Sequence, residues 1–128
     1  MILYNLFPLL AGPFHRWQPH LDRAREMGFN WVYINPIQRT GSSGSLYSIA
    51  DYFQLNPALA NPGDTTTLDD QCRAMIAKAH ASGLKLMIDL VINHSAYDSP
   101  LTKEHPDWFV REANGRIAHA SCQHGAER

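Results

Sequence analysis

The chain has 128 residues, 45% hydrophobic and 18% charged, which are the proportions of one core-forming domain rather than of a disordered or fibrous protein. A formal charge of −1, a pI near 6.6 and no basic cluster beyond "DRAR" exclude an electrostatic footprint for nucleic acid or an anionic membrane surface. Two cysteines, Cys72 and Cys122, make neither a CxxC pair nor a disulfide framework, which fits a reduced, cytoplasmic setting.

The opening run "MILYNLFPLLAG" is short and apolar and ends in Ala-Gly, as a signal peptide would. It lacks a basic head and is interrupted by Asn5 and Pro8, so a buried first strand over 2–7 is the preferred reading. From Phe14, apolar residues recur at Trp17, Leu21, Ala24 and Met27, along one side of a helix that Gly28 is placed to end. "NWVYIN", 30–35, is a second strand closed by Pro36.

Residues 36–66, rich in Gly, Ser, Asn and Pro, read as irregular; so long a connection is more often functional than idle. Thr67 is placed to cap a second helix, with Asp69 and Asp70 in its first turn and a stripe of Leu68, Cys72, Met75, Ile76 and Ala79. Gly83 closes that helix. A third, nearly all-apolar strand follows in "LKLMIDLVINHSA", 84–96, and 95–128 reads as irregular again. No stretch approaches transmembrane length, so no membrane partner is expected.

Strand, helix, strand, helix, strand implies a parallel sheet with crossover helices. "PLLAGPF" lacks the glycines of a dinucleotide-binding turn, which favours a barrel over an open doubly wound sheet. The fold class is thus α/β, a partial TIM (β/α)8 barrel. A full barrel takes about 250 residues, and three strands with two helices fall far short of eight units. Unpaired edges of this kind favour aggregation or pairing with other chains.

In such folds the working residues gather at the carboxyl ends of strands, where Tyr47, Asp51, Tyr52, Asn93 and His94 fall. Met87, Asp89, Val91 and Asn93 share one strand face. Buried there, Asp89 must be hydrogen-bonded and charge-paired, or it takes up a proton. It either fixes strand geometry or holds a cation near reacting atoms. His94 is either a tolerated polar residue or a donor, acid or base. Asn93 is either a positioning amide or an oxygen ligand for a hard cation such as calcium.

"DLVINH", with its preceding helix, resembles the first conserved region of the α-amylase family, glycoside hydrolase family 13. "GSLYSIADYFQLNP" is similar to the family's segment after strand two, and "SPLTKEHPDWF" to the start of the domain inserted after strand three. The resemblance implies that 1–94 are the N-terminal βαβαβ portion of a glycosidase barrel and 95–128 the start of that inserted domain. It implies an α-glucan or maltooligosaccharide substrate, with Tyr47 stacking on a sugar ring, Asp51 organising the pocket and His94 bonding a sugar hydroxyl. Asp89 would support the site by pairing with an arginine of the next conserved region. Asn93 matches a calcium-binding position of many amylases; no other cofactor is implied.

Retaining chemistry needs two carboxyl groups about 5 Å apart. The resemblance puts them after strands four and five, with a further Asp after strand seven, so the 128-residue chain alone is expected to be inactive. Ser45-Leu46 stand where family members commonly carry His-Gly, which points from a plain starch-degrading amylase toward transglycosylating branches. The alternative is a non-catalytic amylase-like module retained for binding or assembly.

Two further features are read as structural. His119, Cys122 and His124 lack a fourth zinc ligand. Trp17 and Trp31 are assigned to the core, and Trp108 to anchoring the insertion by burial.

Overall fold

The computed structural model describes residues 1–119. Strands β1 (Leu3–Leu6), β2 (Trp31–Ile34) and β5 (Lys85–Ile88) form a parallel sheet in that order. Leu3, Trp31 and Lys85 begin the three strands in line, and Leu6, Ile34 and Ile88 end them. Each new strand adds on the same side, and the crossover helices α2 (Gln18–Glu26) and α3 (Leu68–Ala81) pack on each other. That is the winding of a barrel wall; a doubly wound sheet would reverse and place helices on both faces.

Side chains alternate across each strand, so the sheet has two unlike faces. Leu6, Val32 and Ile34 are buried against Trp17, Leu21, Cys72, Met75 and Ala79 of the helical layer. Asn5, Trp31, Tyr33 and Met87 occupy the opposite face and are half-buried or exposed. Trp17 is fully buried, and its indole N–H donates to the Gly12 carbonyl at 2.7 Å, which satisfies its polar end.

Local chemistry accounts for the helix limits. A 3-10 turn, Phe14–Arg16, precedes α2, whose first turn carries Pro19; proline's fixed φ and missing N–H suit that position. The helix therefore starts later than Phe14. Met27, expected on the apolar stripe, is the C-cap residue and is largely exposed. Gly28 follows at φ +86°, the left-handed conformation expected of it. Thr67 caps α3 by accepting the Asp70 amide at 3.1 Å, while its hydroxyl donates to the Asp70 carboxylate at 2.7 Å. Cys72 is free and buried, and burial raises its thiol pKa.

Several expectations give way. Residues 36–66 are not wholly irregular, for β3 (Gln38–Thr40) and β4 (Ile49–Leu55) form an antiparallel hairpin with shifted register, anchored by buried Leu46 and Ile49. A short helix α1 (Pro8–Ala11) occupies the first βα turn. The third parallel strand ends at Ile88, and Leu90 and Ile92 beyond it are exposed, because β5 is a sheet edge among the described residues. Residues 95–119 hold a helical turn α4 (Leu101–Glu104), a 3-10 turn Pro106–Trp108 and a bridge between Arg111 and Ile117.

Trp31 is half-buried, with the Lys85 ammonium 5.5 Å from its ring centre. Trp108 is 65% exposed and stacks on His105 at 3.9 Å, so it does not anchor the segment by burial. Cys122 and His124 lie outside the described residues.

Candidate functional site

Parallel pairing brings the carboxyl ends of β1, β2 and β5 together. Asn5 of β1 reaches across, its amide donating to the Tyr33 carbonyl at 3.2 Å and to the Asn35 side-chain oxygen at 3.0 Å. Asn35, buried just past β2, donates in turn to the Tyr47 hydroxyl at 2.7 Å. Tyr47 comes from the β3–β4 connection and is 41% exposed, with its polar end pinned by Asn35.

Asp89 is the first residue beyond β5. Its amide donates to the Ile34 carbonyl at 2.8 Å, and its side chain is half-buried. Hydrogen bonding to the Asp89 carboxylate, then burial, then the charge of Asp89, and lastly Tyr47, push the Tyr33 pKa up to about 12. The described partner of Asp89 is therefore a neutral phenol. Tyr33, Tyr47 and Asp89 form one polar group at the strand ends.

His94 is half-buried, with Nδ1 3.0 Å from the Asn93 amide oxygen; its backbone carbonyl accepts the Tyr52 hydroxyl at 2.8 Å. Asp51, half-buried in β4, accepts the Phe53 amide at 2.8 Å, which leaves its second oxygen free of that turn. Thus Tyr47 and Asp89 are brought together through Tyr33 and Asn35, whereas His94 is tied to the hairpin through Tyr52, beside Asp51. A cleft of about 960 Å³ adjoins His94, lined among others by Ser42, Asn93, Tyr97, Asp98 and Trp108. Its size is that of a small-molecule site.

Asn93 is exposed, and its amide oxygen is turned to the His94 ring. Among the described residues no group of three or more His, Cys, Asp or Glu is placed to hold a metal ion.

Sequence reasoning passed over Asn5, Tyr33 and Asn35. The signal was present in "ILYNLF" and "NWVYIN", each of which carries a polar side chain near the carboxyl end of an apolar strand. Chemically the group offers an aromatic face, a phenol, amides, an imidazole and one strand-end carboxylate. This set suits a polyhydroxyl ligand.

Residues 2–115 match the model of the glucanotransferase domain of glycogen debranching enzyme. An alpha-glucosidase of Pediococcus pentosaceus is 32% identical, over 77% of this chain and 18% of its own length. An alpha-1,4-glucan:maltose-1-phosphate maltosyltransferase of Bifidobacterium animalis is 34% identical, over 87% and 17%. The chain therefore spans less than a fifth of these relatives. Among solved structures, an alpha-amylase of Lactobacillus plantarum superposes with a TM-score of 0.80 at 28% identity, covering 94% of this chain and 29% of that one. A maltogenic alpha-amylase of Thermotoga neapolitana gives 0.75 at 30%, covering 91% and 29%.

Proposed function

Because the chain belongs to the α-amylase family, glycoside hydrolase family 13, we propose that it builds the sugar-binding wall of a retaining α-glucan hydrolase or transglycosylase. The observation that carries this reading is the Asn5–Asn35–Tyr47 chain, which holds an exposed aromatic face over the strand ends beside Tyr33 and Asp89. A sugar ring offers an apolar face for the tyrosine and hydroxyls for His94 and Asp51. Asp89 lies at the strand ends beside Tyr33 and is suited to take a guanidinium partner.

Retaining chemistry requires a nucleophile and an acid about 5 Å apart. Of the three parallel strands, only β5 is followed directly by a carboxylate, and that group is engaged with Tyr33. In this reading the reacting carboxyl groups lie outside residues 1–119, and the 128-residue chain alone does not turn over substrate. Ser45-Leu46 before Tyr47 favours transfer to a second glucan over plain hydrolysis. This reading includes a cytoplasmic location; among the described residues no helix is long and apolar enough to cross a membrane.

The test compares the full gene product with the 128-residue chain on maltooligosaccharides, following product anomer by NMR and product length. Retention by the full product and no turnover by the chain are expected, with products longer than the substrate marking transfer. Inverted products, or turnover by the chain, contradict the proposal. A full product that binds maltooligosaccharides without turnover points to a non-catalytic module.

A further inference from the structure

The two connections that carry the sugar-facing residues leave different strands, yet they are fastened together at four points. The Ser42 amide donates to both Asp98 carboxylate oxygens, at 3.0 and 3.3 Å. The Ala96 amide donates to the Ile49 carbonyl at 2.7 Å, and the Ser99 hydroxyl to the Ala50 carbonyl at 2.7 Å. Tyr52 closes the set on the His94 carbonyl at 2.8 Å. Leu46, Ile49, Ala96 and Ser99 are buried along the seam, while Ser42 and Asp98 fasten its exposed end. It is also tight: a Cβ on Gly41 would land on the Ala96 methyl and the Asp98 carboxylate.

Tyr47 and Asp51 sit on one side of this seam and Asn93-His94 on the other. Neither half can fix the spacing between them by itself. We propose that Asp98 and Tyr52 are positioning residues that lock the β3–β4 hairpin to the segment after β5, and so set the distance between Tyr47 and His94. Asp98 acts through the Ser42 amide and Tyr52 through the His94 backbone. This rests on the function proposed above; both side chains line the cleft beside His94, and the role assigned to them is to hold the loops.

The test is a double-mutant cycle in the full gene product, measured as kcat/KM on maltooligosaccharides. Asp98→Ala is expected to lower kcat/KM about tenfold, the scale of a displaced binding group. Asp98→Asn, which keeps an oxygen for the Ser42 amide, restores most of the loss. In a His94→Ala background Asp98→Ala should cost less than about twofold, because residues that act through one another are non-additive. Tyr52→Phe removes one hydroxyl and little volume and should give the same pattern, so it carries the test if Asp98→Ala does not fold. Equal losses in both backgrounds, or no loss, overturn the inference while leaving the proposed function standing. An inactive wild-type product removes the proposed function and this inference with it.

Discussion

Tyr33 and Asp89 show how one contact changes two side chains at once. A carboxylate that accepts a phenol's hydrogen bond resists that phenol's ionisation, which is why the Tyr33 pKa rises to about 12. The unfolded chain loses its phenolic proton first, so between about pH 10 and about pH 12 this pair's contribution to stability falls as pH rises. Asp89→Asn should bring the Tyr33 titration back toward the ordinary tyrosine value, as followed by NMR of labelled tyrosine rings. An unmoved midpoint would show that burial, not Asp89, controls it. Thr67 is a second single-residue device. Thr67→Ala orphans the Asp70 amide and should cost about 1 kcal/mol, seen as a lower urea midpoint of the full gene product.

At the scale of elements, helices are placed by their ends and held by their stripes. Leu21 of α2 is fully buried against the sheet, so Leu21→Ala should cost about 2–5 kcal/mol in the same measurement. Gly83 turns the chain out of α3 at φ +81°, with open space where a Cβ would go. Gly83→Ala should therefore destabilise by about 1 kcal/mol through backbone strain alone, with no clash to relieve. A loss much above that would mean that side-chain crowding, not φ, governs the position. The hairpin β3–β4 obeys different rules: its strands are short and its register shifts twice, and its anchorage comes from buried Leu46 and Ile49 rather than from a regular ladder.

For the molecule as a whole, the decisive asymmetry is a sheet covered by helices on one face and open on the other. The strands β1 and β5 are edges among the described residues, and Met87, Leu90 and Ile92 stand exposed at one of them. Unpaired backbone beside exposed apolar side chains recruits other chains. The isolated 128-residue chain is therefore expected to sediment as a mixture of oligomers; a monomer that unfolds in one cooperative transition would count against this view.

Periodicity and end signals in the sequence determined the alternation of strand and helix, the capping Thr67, the terminating Gly28 and Gly83, and the buried Cys72, because all of these are set by neighbours within a few residues. The motifs also singled out Tyr47, Asp89 and His94. What only the tertiary structure decided was what each of them touches. Asn35 holds Tyr47, Tyr33 binds Asp89, and Tyr52 grips the His94 carbonyl from 42 residues away. Those partners are chosen by strand register and loop docking, which depend on where distant segments meet and leave no local pattern to read. The hairpin went unseen for the same reason, since three residues of β3 are too few to show a period and its partner strand lies beyond a loop.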